Sequence, residues 1–437
     1  MSILQTTQFE IQQLSVKSFD GTREYDIRQI FEEINIFDNV MMPCMSGNIV
    51  IKDAVGFATK INFDGSEYIH MKISKDVDEN LPRTNFEKKF VIYKQTDRKQ
   101  LNQNAEMYTL HFVAEEFILS SQKKIRQVFK GTYTDIVRKI MKDYLGLEYQ
   151  LFQFANLYDT KGIHEIMIPN LSPFEAIEFI TKRANSEQGV PDFMFWQTHL
   201  GYNFMPLSYI LTEFGEIATI NFGTKNLSED YMESELYGAR DYKIISQFDA
   251  AQNIQSGVYA GKFIGFDPLT RTIKTSNLSF DDTYKLTKHA NPNPMNTKVP
   301  NKDKKFANEM YDSRITLYPF QLERANNAYL KSTDSKTANI TDNSHNYILQ
   351  RKAIFSNLMQ KRIRITMPGN FALTSGAPVQ VQMPIRYNEE TTKESGDLTL
   401  KGKYMIIGAR HIIRYDKHET VIEVATDSTY FKNKKVK

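Results

Sequence analysis

The sequence predicts a mainly β protein carrying α+β insertions. Three observations lead there. Apolar and polar residues alternate with period two in at least five short runs before residue 118 and in four more after residue 361, the pattern of strands with one packed face and one wet face. The dipeptides Asp20-Gly21, Asp64-Gly65 and Pro368-Gly369 punctuate these runs as turns. Helical spacing is confined to three stretches, near 133–146, 172–184 and 347–362.

At 437 residues and roughly 150 residues per domain, the chain has room for about three domains. A hydrophobic share of 41% with 24% charged residues is enough for packed cores and leaves polar sequence over. The net charge of +3 is close to neutral for this length, which argues against a dedicated nucleic-acid binder with a strong basic excess. Cys44 is the single cysteine, so no intramolecular disulfide and no cysteine metal cluster can form. Set in VMMPCMSG, it reads as an inert, partly buried thiol. The opening residues MSILQTTQFE lack the basic start and apolar core of a signal peptide. No run approaches the ~18 apolar residues of a membrane helix. A soluble protein made in a cytoplasm is expected.

Residues 1–118 read as strands. Phe9, Ile11, Leu14 and Val16 begin one, and Tyr25, Ile27, Ile34 and Ile36 suggest a second. SGNIVIKD (46–53) places Ile49 and Ile51 on one face, and EYIHMKIS places Ile69, Met71 and Ile73 on one face. KKFVIYKQTDR and MYTLHFVAEEFIL then form a strand pair across a polar loop, KQLNQNAE. Such closely spaced strands imply a barrel or a sandwich. Near Ser120 the period changes. TYTDIVRKIMKDYLG aligns Ile136, Ile140 and Tyr144, with Val137 and Met141 beside them and Gly146 just past the end. Ser172-Pro173-Phe174-Glu175 is a capping box with proline at the first helical position, followed by Ile177, Ile180 and Ala184. PDFMFWQTHLGYNFMPL reads as a hairpin holding the single tryptophan, Trp196.

Strands return from 234 to 279 as a meander, with Gly257 and Gly261 at a bend or bulge. The tract 285–346 is rich in Pro, Lys and Asn, residues that bury too little area to offset chain entropy. It reads as loops with one short strand near 314–317, or as disordered linker. The last unit opens with a helix whose stripe is Tyr347, Ile354 and Leu358, flanked by Ile348, Phe355 and Met359. In RIRITM, Ile363, Ile365 and Met367 face one way and Arg362 and Arg364 the other. Val379, Val381, Met383 and Ile385 repeat this, as do Ile422 and Val424. The wet Arg and Gln face is either ordinary surface or the lining of a channel.

A search for chemistry singles out no catalytic, cofactor-binding or metal-binding residue. Phosphate loops, HExxH and GxSxG are missing from the sequence. Asp76, Asp78, Asn80 and Glu87 imitate a calcium loop, but Leu81 and Pro82 stand where its obligatory glycine turn belongs. We read a solvated acidic turn. His164-Glu165 and His411 have no companions at catalytic spacing. Lys123, Lys124 and Arg126 read as a charged entry to the helical region, and Lys432, Lys434, Lys435 and Lys437 as a solvated tail.

SGNIVIKD followed by Gly56-Phe57 and DGSEYIHMKI resembles the N-terminal barrel of baseplate hub proteins from contractile-tailed, T-even-like phages. LSPFEAIEFITKRA resembles the helix of their inserted domain. IFSNLMQKRIRITMPGNFALTSGAPVQVQMP with GKYMIIGARHIIRYDKHETVIEVATDS, including Pro368-Gly369 and Asp427-Ser428, resembles their second barrel. The resemblance implies two tube-like β-barrel domains, 1–118 and 226–284 with 347–437. Between them fall a small inserted α+β domain, 119–225, and a polar insertion, 285–346. It implies a structural, non-enzymatic homotrimer in the virion tail baseplate, assembled in the host cytoplasm. Three chains would build a ring of six barrels joining a sixfold tail tube to a threefold central spike. Implied partners are the spike, tail tube, tape-measure and baseplate wedge proteins, with DNA only as cargo in the channel and no stable membrane insertion. No fused spike or lysozyme region is recognisable, so the spike is expected on a separate chain. The two barrels show no sequence repeat. Two other classes remain open at this point: a tail-associated peptidoglycan hydrolase, and a carbohydrate-binding adhesin with Trp196 as an aromatic platform.

Overall fold

The computed structural model describes residues 9–75, 85–147, 154–222, 237–267, 271–295, 315–319, 344–383 and 399–430. The fold is mainly β with helical insertions, as the sequence predicts. In the first unit, β1 (Glu10–Lys17), β2 (Glu24–Asp26), β3 (Phe31–Asn39), β4 (Ser46–Asp53), β5 (Tyr68–Ser74), β6 (Phe86–Asn102) and β7 (Ala105–Val113) pair in the order β3-β4-β7-β6-β5-β1-β2. A short helix, α1 (Phe57–Ile61), lies between β4 and β5. Alternation puts Ile34, Ile36, Ile49, Ile51, Ile69, Met71, Ile73, Leu110 and Phe112 into one core. Two expectations are corrected. Most of the polar loop KQLNQNAE is strand, because β6 and β7 run on past the core as a long exposed hairpin. EEFIL is helical: α2 (Glu115–Gln122) starts with Glu115 and Glu116, which suit the positive end of a helix dipole.

The next region contains β8 (Val128–Gly131), α3 (Tyr133–Leu145), β9 (Phe154–Leu157), β10 (His164–Met167) and α4 (Pro173–Thr181). It continues with β11 (Phe193–Thr198), β12 (Gly201–Pro206), α5 (Leu207–Thr212) and β13 (Ala218–Asn221). Helix α3 buries Ile136, Val137, Ile140 and Met141, and Gly146 caps it with φ 69°. Ahead of α4, the Glu175 carboxylate accepts from the Ser172 amide at 2.7 Å, closing the expected box. The expected hairpin is β11–β12, with Phe195 opposite Phe204. Strand β13 leaves this region and pairs parallel with a strand of the second unit.

The second unit uses β14 (Asp241–Ser246), β19 (Lys361–Pro368), β20 (Pro378–Gln382), β21 (Gly402–Arg414) and β22 (His418–Thr426), and β13 pairs with β20. Ile363, Ile365, Met367, Val379, Val381, Ile422 and Val424 are all fully buried in its core, as the alternation requires, and Met383 is nearly so. Ile385 lies outside the described residues. The expected meander is corrected. After β14, a short helix α6 (Ala250–Gln255) is capped by Asp249, whose carboxylate accepts from the Gln252 amide at 3.0 Å. Gly257 (φ 72°) follows that helix and is not a strand bend. Strands β15 (Ala260–Asp267) and β16 (Thr272–Ser279) form a separate small sheet with β18 (Ile315–Pro319), the short strand expected near 314–317. Helix α7 (Phe280–Leu286) follows β16, and α8 (Ser344–Leu358) packs Leu349 on Phe263 of the small sheet. Its opposite side sets Ile354 and Leu358 against Trp196 and Met405.

A four-strand repeat is hidden in this order. The first unit runs β3-β4-β7-β6 and the second β14-β19-β22-β21, all neighbours antiparallel. One bulge matches too, although β6 breaks register again after Thr96 and after Gln100. Val91 and Ile92 face Val113 and Phe112, Tyr93 is skipped, and Lys94 faces His111. Met405 and Ile406 face Ala425 and Val424, Ile407 is skipped, and Gly408 faces Glu423. The two repeats fuse through an antiparallel ladder, Gly408–Arg414 of β21 on Glu33–Asn39 of β3. The start of the polar tract is tied down as well. Asn291 is buried and donates through Nδ2 to Thr426 Oγ1 at 3.0 Å and to the Lys403 carbonyl at 3.1 Å. A two-residue strand, β17 (Asn293–Pro294), pairs with β23 (Ser428–Thr429).

At the seam of the repeats, Phe371 stacks on Phe86, His411 and His418 at 5.0, 4.7 and 4.6 Å. Burial drives His411 down to about 3 and His418 well below its ordinary value. Two other buried groups stand at this seam. The Lys75 ammonium, lowered to about 8 by burial, donates to the Gly369 carbonyl. Asp38, raised to about 7 by burial, accepts from the amides of Ser375 and Ala409.

Two outcomes follow from these cores. Ile363→Asp or Ile365→Asp places an unpaired carboxylate in the second core and costs roughly 4 kcal/mol or more. Denaturant melts should show the loss; wild-type stability would refute the inward face. The histidines make stability fall with acid, since the unfolded chain takes up their protons below about 6.5 while the folded chain resists, in the case of His411 until about 3. His411 contributes a slope of ~1.4 kcal/mol per pH unit within that window, and His418 acts in the same direction. Asp38 works in the opposite sense between 3.8 and about 7, so the readout is a difference. His411→Phe should lower the wild-type slope between pH 6 and 4 by about one such increment, and parallel curves would refute it.

Candidate channel face and other sites

The wet face of the fused sheet is built by the residues that alternate with the cores. From β3, β19, β21 and β22 it presents Glu33, Asn35, Arg362, Arg364, Arg410, Arg414, Glu419 and Glu423. These pair across strands. Arg414 Nη2 lies 2.8 Å from Glu33, and Arg410 Nη2 donates to Asn35 Oδ1 at 2.7 Å. Glu423 lies between Arg362 at 3.1 Å and Arg364 at 3.7 Å. Glu419 receives Lys417 at 2.6 Å and Arg240 at 3.4 Å. Burial alone would raise the Glu33 carboxyl, but hydrogen bonds from Asn35 and Arg414 outweigh it and hold the group below its ordinary value. A groove of about 480 Å³ crosses this face between Phe37, Arg362, Arg364, Arg410 and Glu423. The glutamines of the expected wet face sit one strand further on, Gln380 half-buried and Gln382 exposed on β20. The face is mostly polar, crosses the seam from β19 to β3, and pairs its arginines with acids or Asn35.

The residues weighed for chemistry occupy structural positions. His164 stacks on Tyr133 at 4.1 Å, and Glu165 faces Lys130 across a strand pair. His411 belongs to the seam. Cys44 is buried and its thiol is pushed up to about 12 by burial, which denies it thiolate character. Lys124 pairs with Glu175 at 3.1 Å, Arg126 donates to Asn170 at 2.6 Å, and Lys123 donates to the Tyr144 carbonyl. The acidic turn at 76–80 and the lysines beyond 431 lie outside the described residues. Glu87 pairs with Lys72 at 3.3 Å on the surface of the first unit. Among the described residues no group of three His, Cys, Asp or Glu could hold a metal ion.

Trp196 corrects the idea of an aromatic platform. It is buried, donates to the Ser375 carbonyl at 3.0 Å, and lies so close to Gly376 that a Cβ there would meet its ring at 2.2 Å. One arrangement the sequence did not reveal is the set Ser428, Asp427 and His289. His289 Nδ1 lies 2.6 Å from Asp427, as in a hydrolase. Yet the Ser428 hydroxyl is fully buried, donates to Asp427 at 2.8 Å and accepts from the Asn291 amide at 2.7 Å. A nucleophile needs its oxygen on the base and open to substrate. Here the trio ties residues 289–291 to the end of β22, and Asn357 of α8 adds a bond to the Asp427 carbonyl at 2.8 Å.

No protein-family model matches the chain. No curated protein matches it. Solved structures do. The tail protein of Neisseria meningitidis MC58 is similar over 96% of this chain and 97% of its own, with TM-score 0.52 and 13% identity. The 43 kDa tail protein of prophage MuSo2 from Shewanella oneidensis is similar over 94% of this chain and 97% of its own, with TM-score 0.51 and 9% identity. Identities this low speak for the fold alone. This chain shares the mainly β fold of these tail proteins.

Proposed function

We propose that the chain is a structural hub of a phage tail baseplate, a ring of three copies that joins the tail tube to the central spike and encloses a channel. The observation that carries this reading is the repeat. One chain supplies the same four-strand unit twice, fused into one sheet, so three chains supply six units and match a sixfold tube to a threefold spike. The similarity to tail proteins over nearly the whole chain supports the same role.

The wet face supplies the channel wall in this reading. Polyanion affinity grows with each cation free to release a phosphate counterion. Arginines already held by Glu33, Glu419 and Glu423 are poor at that, which suits a conduit. The spike, tube, tape-measure and wedge proteins are the partners, the polar tract 285–346 serves contacts outside the ring, and the role requires no catalysis. Light scattering of the chain co-expressed with its spike should give three times the 50.7 kDa chain mass plus the spike. Negative-stain images should show a ring with an axial hole. A glycan-binding monomer, or clearing of cell walls by the purified chain, would overturn the reading.

A further inference from the structure

The small sheet has one face covered and one face open. Its strands run in the order β16-β15-β18. Alternation sends Phe263 of β15 to one side, where it packs on Leu349 of α8, with Leu278, Tyr318 and Ile348 around it. Lys262, Ile264 and Phe266 therefore point to the other side. Register sets their neighbours there: Ile315 lies beside Lys262, Leu317 beside Ile264, and Ile273 across from Phe266. Phe266 is 44% exposed, Ile315 49%, Ile273 67% and Leu317 73%. Single exposed apolar side chains are ordinary, but a contiguous set on one face marks a binding surface. Lys262 stands among them, and no carboxylate of the described residues pairs with it. Strands β16 and β18 carry no acid, while Arg271 and Lys274 stand exposed near the β15–β16 turn.

We propose that this open face is a docking surface for an acidic amphipathic helix of a partner protein, apolar on its seated side and bearing a carboxylate that reaches Lys262. The covered face is the precedent, since helix α8 already seats Ile348 and Leu349 there. Strands β15 and β18 run parallel, and parallel strands are characteristically covered on both faces. The dimensions suit one helix. Three strands about 4.8 Å apart span about 10 Å, the width of a helix. Three rows of outward side chains along each strand extend over about 14 Å, the length of about nine helical residues. Charge selects among occupants. A second copy would set two cationic faces against each other, and like charges in contact oppose association. A partner with carboxylates at the rim gives Lys262 an ion pair, which selects the partner, while the aliphatic side chains supply affinity by burial. The surface uses none of the wet face and none of the seam, so it stands or falls apart from the hub reading.

Two synthetic helical peptides test this on the full chain. Both carry one leucine face, flanked by glutamates in one peptide and by lysines in the other. The glutamate peptide should bind, and the lysine peptide about tenfold more weakly. Carbodiimide should couple a bound glutamate to Lys262, and Lys262→Gln should abolish that cross-link and most of the preference for glutamate. Leu317→Ser and Ile273→Ser, both at exposed positions, should each weaken binding of the glutamate peptide about tenfold with the melting temperature unchanged. Leu317→Cys and Ile273→Cys should react with a maleimide in the chain alone and be protected by the peptide. The buried Cys44 gives little background. No binding of the glutamate peptide, or equal binding of both peptides, would overturn the proposal. Three other results would overturn it by naming a different occupant. Cysteines protected in the chain alone would mean that the chain covers its own face. Self-association abolished by Leu317→Ser would mean a second copy, and binding to phosphatidylglycerol vesicles abolished by the same substitution would mean a lipid surface. Failure of the peptide test leaves the mass and imaging measurements of the hub unaffected.

Discussion

The ladder between β21 and β3 is the constraint on which the rest of the structure depends. It joins residues almost 400 positions apart, from Glu33 with Arg414 to Asn39 with Gly408. Without it, the chain would be two β units on a tether. With it, the units share one sheet, one wet face and a set relative angle. The ladder also explains a costly residue. Asp38 is 4% exposed, and burial raises its carboxyl to about 7. Its two oxygens accept from Ala409 and Ser375, so it bonds β21 and the loop after β19 from within the seam. A buried acid without such donors would be strongly destabilising.

The elements outside the sheet act as clamps on that seam. The β11–β12 hairpin sends Trp196 into the second unit, where Gly376, at φ 83°, makes room for the ring. Gln197 of the same strand accepts from the Met45 amide at 2.9 Å, reaching the first unit. A single strand of the inserted region thus holds both units. Helix α8 does the same for the small sheet, with apolar contacts on two sides and Asn357 bonded to the Asp427 carbonyl. Polar bonds recur at these joints because they specify geometry where apolar packing alone would permit sliding.

How much of this was legible follows from the range of each signal. Alternation in RIRITM and VIEVATDS, the Ser172–Glu175 box and the Gly146 cap are local, and each gave the right element. The helix at Glu115 was missed because FVAEEFIL alternates well enough to read as strand, and only the two acids hinted otherwise. The repeat was missed because it is written in pairing. Val91-Ile92-Tyr93-Lys94 and Met405-Ile406-Ile407-Gly408 share a bulge without sharing a residue pattern that marks one. The expectation of loops with one short strand over 285–346 overlooked Asn291, whose side chain is useful because it is polar: it satisfies a backbone carbonyl and a hydroxyl in one buried place. As for the candidate site, alternation revealed that Arg362 and Arg364 face out, but their carboxylate partner Glu423 is set by long-range register.

That register decides what the wet face can do. Four unpaired arginines on β19 and β21 would bind a polyanion by counterion release. Moving Glu33 or Glu423 by one residue would turn its side chain to the core and strip the arginines of their partners, since a one-residue slip reverses every side chain. The bulges at Ile407 and Tyr93 absorb the odd residue that would otherwise cause that slip. The same irregularity therefore lets β21 serve two units and keeps Arg410 and Arg414 facing Glu33. Paired charges on the wet face and a strand shared between the two units are then two consequences of one feature.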